Sequence, residues 1–331
     1  MRSSVLFASV AACAVGGCTT HPSPIDFAGV STHNIVRHVR CEARDAVARA
    51  LGDWLVHRHS NDPRSAEGVE MLHGFGERLM ANPLELPAVR AELKRERRLA
   101  SFSEVFETTM KTGLAYNFEF DITEKNDLSA EIGLTRALTS SIGTLGVTTA
   151  LNRSRQNVRT FDTSDTFEKL WELQPRYCEG LDLASDDKIY PMAGNVGIDR
   201  TVAAFFSLAL TDNPTAKRPS TSSTMTEQLK FTTTVSGNLH PSITYTPANA
   251  PVTLTTGKLL SDNSRTDIHK LTINLTAAGD TRALQQIVFQ SWNRSAAATT
   301  LLRSDGIDAE TAARAGLATY LGREIKFQLV Q

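Results

Sequence analysis

The chain of 331 residues is poor in cysteine, with four, and in tryptophan, with three, and it has no charge excess: 35 basic side chains face 36 acidic ones. That balance leaves no general field to draw in nucleic acid or an anionic surface. Past the N-terminal leader nothing approaches the ~18 consecutive apolar residues of a spanning helix. Strand-like segments are also too few for a closed outer-membrane barrel, which takes about eight strands or more. Catalytic signatures are missing as well. There is no His-Glu-x-x-His and no Gly-x-Ser-x-Gly, and Thr255-Thr256-Gly257-Lys258-Leu259 lacks the earlier glycine and later hydroxyl of a phosphate loop. These gaps remove the positive grounds for an enzyme without excluding one. The 41% hydrophobic and 21% charged content is that of an ordinary globular protein, long enough for two domains or one elaborate one.

What is present begins at the N-terminus. Arg2 supplies a positive charge, Val5 to Val15 is nearly all apolar or small, and Val15-Gly16-Gly17-Cys18 follows. That order is the layout of a secretory signal. The run of about a dozen residues is too short, at ~1.5 Å each, to cross a ~30 Å hydrocarbon core. The tetrapeptide Val15-Gly16-Gly17-Cys18 resembles the lipobox of bacterial lipoproteins. The resemblance implies cleavage before Cys18, a diacylglyceryl thioether on its sulfur and an acyl chain on the new amino group. Two or three chains suffice for a stable anchor. Thr19, rather than an aspartate, follows Cys18, which resembles the outer-membrane sorting signal. The alternative is an ordinary signal peptide cleaved near Ala14 or Gly17.

Cys13 leaves with the leader and Cys18 carries lipid, so Cys41 and Cys178 remain as a candidate disulfide in an oxidising compartment. Two separate buried thiols are the alternative. Cys41 beside several arginines is also a weak candidate for a reactive thiolate.

Residues 19 to 31 carry turn formers without a period and read as a tether. Val36, Val39, Ala43, Val47, Ala50, Leu51, Trp54 and Leu55 then recur at helical steps, with Arg37, Arg40, Arg44 and Arg49 alternating with Glu42, Asp45 and Asp53 on the remaining surface. Further helices are expected over 66 to 81 and from Pro87 to about Lys111. The stretch Glu92 to Arg98 reads as a solvated face of i,i+4 pairs. From Leu114 the period becomes two: Leu114, Tyr116, Phe118, Phe120 and Ile122 lie on one buried face. Turns are expected at Glu124 to Asp127, at Leu151 to Arg155, at Ser236 to Asn238 and at Leu260 to Arg265, with strands between them. The two β regions read as an internal duplication or as two independent meanders. Val202 to Leu210 reads as an apolar helix, Ala283 to Asn293 and Asp308 to Gly322 as two further helices, and Glu324 to Val330 as a last strand.

The expected fold is α+β: a helical N-terminal region, then one or two small antiparallel β units with an intervening apolar helix. The expected division is 1–17 signal peptide, 18–31 lipidated tether, 32–112 helical region, 113–211 first β unit plus helix, 212–227 linker and 228–331 second β unit plus C-terminal helices.

Candidate sites are few. His33, His38, His57, His59 and His73 cluster early, and His57 with His59 can share a metal only on an extended chain, since helical i and i+2 positions diverge. Asp182, Asp186 and Asp187 lack the alternate acids and turn glycine of a calcium loop. Asp121, Glu124, Asp127 and Glu131 surround an expected strand turn and are the candidates for a hydrolytic pair. No catalytic residue, cofactor or metal site is assigned. The outline is similar to envelope lipoproteins of Gram-negative bacteria. The functional expectation is a lipid-anchored, non-enzymatic binding or scaffold module at the periplasmic face of the outer membrane, with an envelope protein as partner and no nucleic acid. A periplasmic hydrolase of envelope polymers is the alternative.

Overall fold

The computed structural model describes residues 31–57, 66–138, 141–173, 175–180, 195–210, 224–239, 242–243, 253–278 and 308–328. Cys18 with its leader, His59, the candidate ligands Asp182, Asp186 and Asp187, and the helix expected over 283 to 293 lie outside them. The fold is α+β. In chain order its elements are α1 (Thr32–His57), α2 (Ala66–Ala81), α3 (Leu86–Arg95), α4 (Ala100–Met110), β1 (Gly113–Leu138), β2 (Ser141–Thr166), α5 (Phe167–Glu172), α6 (Ile198–Leu210), β3 (Thr224–Leu239), β4 (Ser242–Ile243), β5 (Thr253–Thr276) and α7 (Ala309–Gln328).

The expected apolar stripe of α1 is buried from Val39 to Leu55, but burial also takes in Ile35, Cys41, Ala46, Ala48 and Gly52. It is wider than one stripe because α2, α5 and α6 all pack on α1. Glycines let α2 come close. A Cβ on Gly76 would lie 2.5 Å from the Gly52 carbonyl oxygen and 2.6 Å from Val56 Cγ2, so only hydrogen fits there.

The single helix expected from Pro87 to Lys111 is broken. Glu96 turns extended, at φ −83° and ψ 99°, and its carboxylate accepts a hydrogen bond from the Arg98 N–H. A 3-10 turn over Arg97–Leu99 then leads into α4. Lys94, Arg95, Arg97 and Arg98 are exposed, as the solvated-face reading expects, but the i,i+4 pairing within the stretch is corrected. Arg78 pairs with Glu85 and Glu92, Lys94 with Glu107, and Arg98 with Glu67, so the charges join separate elements.

The strands are far longer than expected: 26 residues in β1, 26 in β2, 16 in β3 and 24 in β5. They form one sheet in the order β2-β1-β5-β3, with β4 on β5. The expected turns at Glu124–Asp127, Leu151–Arg155, Ser236–Asn238 and Leu260–Arg265 are all strand interior. Three of the four contain neither glycine nor proline, the residues that force a turn. Their polar side chains keep the period of two and pair across strands, as Glu124 does with Arg265 at 3.1 Å. The two β regions are therefore halves of one sheet. The strand expected at Glu324 to Val330 is corrected too: α7 runs on to Gln328. Glu324, Lys326 and Gln328 favour a helix, and extending an existing one needs no new nucleus.

The chain divides into two compact units. One gathers Val30–Glu119, Thr160–Phe231 and His269–Gln331, and the other contains Phe120–Arg159 and Thr232–Ile268. In the first, Leu114, Tyr116 and Phe118 are buried as expected, and Ala115 and Asn117 on the opposite face are buried too. Ala115 packs on Ala313 and Leu317 of α7. Phe118 stacks on Phe161 at 5.1 Å. Both faces of the sheet are covered here.

Candidate functional site

In the first unit the charged face expected on the surface of α1 is used for tertiary contacts. The Arg40 guanidinium donates to both carboxylate oxygens of Asp165 at 2.6 and 2.8 Å and to the Tyr177 hydroxyl at 3.0 Å. Burial raises the Asp165 carboxyl above its ordinary value although Arg40 opposes the shift. Arg37 donates to the Tyr177 carbonyl and, at 2.6 Å, to that of Glu179. Cys41 and Cys178 are joined by a disulfide in the same place. Arg44 is buried with its guanidinium 5.4 Å from the Trp171 ring centre. Glu42 accepts from the backbone N–H groups of Val196, Gly197 and Ile198, which caps α6 from outside. Hydrogen bonding from Lys169 holds the Glu310 carboxyl below its ordinary value, with Ser164 adding a donor. These are architectural pairs, each joining elements far apart in sequence.

The histidines do not converge. His33, His38 and His57 lie along α1 and His73 on α2, and among the described residues no three or more His, Cys, Asp or Glu could hold a metal ion. His57 pairs with Asp53 at 2.9 Å, at a cleft of about 580 Å³ also lined by Arg49, Trp54 and Phe206.

The second unit is built differently. Its faces follow from cross-strand pairs, because residues opposite one another in a sheet share a face. Asp121 accepts from Gln156, so even positions of β1 go with odd positions of β2. Glu124 pairs with Arg265 and Glu131 with Lys258, so even positions of β1 go with odd positions of β5. Ile243 of β4 lies opposite Gly257 of β5, and Asn274 of β5 donates to Thr226 of β3, so odd positions of β3 and β5 go together.

The exposed large apolar residues of these strands are Ile132, Leu145, Val147, Leu151, Val158, Val235, Leu239 and Leu259. All but Val158 fall on one face. Leu145 is 61% exposed and Leu239 68%. The opposite face carries Lys125, Asp127 and Glu131 on β1, Thr144, Thr148, Asn152 and Ser154 on β2, and Thr232, Thr234, Ser236 and Asn238 on β3, all exposed. The unit is a sheet with an apolar side and a hydroxyl-rich, charged side. Among the described residues the strand order ends at β2 on one side and β3 on the other.

Of the four hydrolytic candidates, Glu124 lies on the face of β1 opposite Asp121, Asp127 and Glu131, and these three are spaced at least four residues apart along the strand, ~13 Å at ~3.3 Å per residue. Asp121 bonds Gln156 and Glu124 bonds Arg265, so the sheet does not bring the two together. The apolar face was missed in sequence because expected turns cut it into short pieces. Its signal was present: Leu128, Ala130 and Ile132 alternate with Ser129 and Glu131, and Leu145, Val147 and Leu151 alternate with the small or polar Gly146, Thr148 and Ala150.

The chain is 28% identical over 284 residues to the uncharacterized protein y4kA of Sinorhizobium fredii (strain NBRC 101917 / NGR234), covering 83% of each chain. No solved structure matches. The family model described as uncharacterised protein y4kA matches residues 21–288, and the chain belongs to that family.

Proposed function

We propose that the chain is a lipid-anchored envelope protein, a non-enzymatic binding or scaffold module held through Cys18 at the periplasmic face of the outer membrane. The observation that carries this reading is the second unit: a sheet of long strands ending at β2 and β3, with an exposed apolar face. Edge strands offer backbone donors and acceptors to a partner strand, and alternate side chains supply selectivity. The polar groups of the first unit hold its elements together, as at Arg40–Asp165 and Glu42–α6. The lipobox-like Val15-Gly16-Gly17-Cys18 supplies the anchor and residues 19 to 31 the reach.

Two experiments test it. Metabolic labelling with a palmitate analogue should mark the wild-type chain and not Cys18→Ala, which should leave the membrane fraction. A labelled Cys18→Ala chain would remove the anchor. In-cell photo-crosslinking from Thr148 on β2 and Thr234 on β3 should give a specific adduct, and Thr108 on α4 should give none. Absence of any specific adduct from both strands would remove the binding module.

A further inference from the structure

Among the described residues this sheet has one apolar and one polar side and ends in two outer strands, which sets two problems in water: an uncovered face and two open edges. One arrangement removes both. We propose that several copies of this chain join the β3 edge of one to the β2 edge of the next and close into a β-barrel, with the apolar face against bilayer hydrocarbon and the polar face lining an aqueous channel. The proposal rests on the edge-pairing part of the reading above, and specifies the partner as further copies of this chain.

Three observations carry it. The first is strand direction. β1 and β2 are antiparallel neighbours, β5 is antiparallel to β1, and β3 to β5, so β2 and β3 run in opposite senses. Setting β3 of one copy beside β2 of the next therefore continues an unbroken antiparallel pattern. The contact is head-to-tail, the kind that closes into a ring. The same join keeps the odd positions of both strands on one side, so the apolar face runs on around the ring.

The second is the height of the apolar band. In the sequence, positions of this parity along β1 carry a charge at Glu124 and next at 136, with eleven residues between them. The same parity is free of charge from 141 until Arg153 along β2 and from 253 until Arg265 along β5. About eleven residues at ~3.3 Å each, tilted ~45° as barrel strands are, rise ~26 Å, the height of the lipid-facing band of a transmembrane barrel. The Glu124–Arg265 pair and Arg153 then stand at one boundary, where a charged head reaches the interface.

The third is the opposite face. Thr144, Thr148, Thr234, Ser236 and the Lys258–Glu131 pair are side chains suited to line water, and would be costly against a packed protein core. That asymmetry suits a cover on the apolar side and solvent on the other, and the height of the apolar band is what favours lipid over a soluble partner sheet as that cover. Four long strands cannot close alone, but two copies supply eight, the smallest size of such barrels, and more copies a wider channel. The absence of a spanning helix among the described residues has no bearing on strands.

The test uses the full-length protein purified in mild detergent and added to planar bilayers. Native mass spectrometry should find a closed oligomer, and the bilayers should show discrete conductance steps. Val147→Arg, on the apolar face, should cut the frequency of those steps at least about tenfold. Thr148→Arg, one residue along on the polar face, should keep the steps and shift selectivity toward anions. Circular dichroism and thermal melting of both variants confirm folding. A monomeric wild type without conductance overturns the barrel, as does an equal loss in both folded variants. If that monomer still gives a specific envelope adduct from Thr148 and Thr234, the scaffold reading stands and only the barrel falls.

Discussion

Removing the disulfide between Cys41 and Cys178 should lower stability by a large and calculable amount. The bond joins α1 to the segment after α5, and 137 residues separate its ends. Loop-closure entropy for a loop of that length gives ~5 kcal/mol at 25 °C as an upper value. The folded state should lose little of its geometry when the bond is absent. Arg37 still binds the carbonyls of Tyr177 and Glu179, and Arg40 still donates to the Tyr177 hydroxyl. The effect therefore acts on the unfolded chain. Urea unfolding of the wild type against Cys41→Ala/Cys178→Ala, followed by far-ultraviolet circular dichroism, reads it directly. With a slope near ~3 kcal/mol/M, the midpoint should fall by up to ~1.7 M, and the slope should rise because the unfolded chain without its crosslink exposes more surface. An unchanged midpoint would refute the reasoning, since the crosslink would then constrain nothing that the unfolded chain does not already hold.

The close approach of α1 and α2 predicts opposite signs at two glycines of one helix. Gly76→Val should destabilise by about 1–3 kcal/mol or more through overpacking against Gly52 and Val56, whereas Gly74→Ala, with nothing within 4 Å of the new Cβ, should stabilise by about 0.5–1 kcal/mol. Thermal melts of the two variants check this. Arg40→Met leaves the Asp165 carboxylate, 3% exposed, without its partner and should cost about 3–5 kcal/mol, with part recovered in Arg40→Met/Asp165→Asn. A double-mutant cycle in urea measures the coupling, and equal losses in the single and double variants would contradict it. Glu310 has its folded pKa lowered from 4.5 by the Lys169 hydrogen bond, so its stabilisation is present above pH 4.5 and lost as pH falls through the folded value. Glu310→Gln should therefore show a shallower acid limb in melting temperature against pH than the wild type, and parallel limbs would count against the pairing.

Much of the first unit was legible from its residues. The apolar steps from Val39 to Leu55 and the alternation from Leu114 to Phe118 report burial, because both patterns arise from faces that must leave water. What the same residues do not report is what else comes to lie there. Ala115 and Asn117 lie opposite the one face of β1 expected to be buried, yet α7 arrives from the far end of the chain to cover Ala115. Likewise Glu42 looked like a surface charge on α1, and its partners are backbone N–H groups of Val196, Gly197 and Ile198. Local composition carries no information on such distant partners. The second unit failed in a different way. Polar clusters such as Glu124-Lys125-Asn126-Asp127 resemble turns in composition, and only the unbroken parity on either side shows that the strand continues. Parity was the stronger signal, because a one-residue slip would exchange the two faces.

The central claim is that the second unit presents an apolar face that something covers in the cell. Single cysteines placed in turn from residue 144 to residue 151 on β2, in the full-length protein in intact envelope membranes, test this with a water-soluble maleimide. The account predicts an alternating record: Thr144, Thr148 and Ala150 positions react, while Leu145, Val147 and Leu151 positions are protected. Uniform reactivity along the strand would contradict it, because an apolar face left in water would label as readily as the polar one.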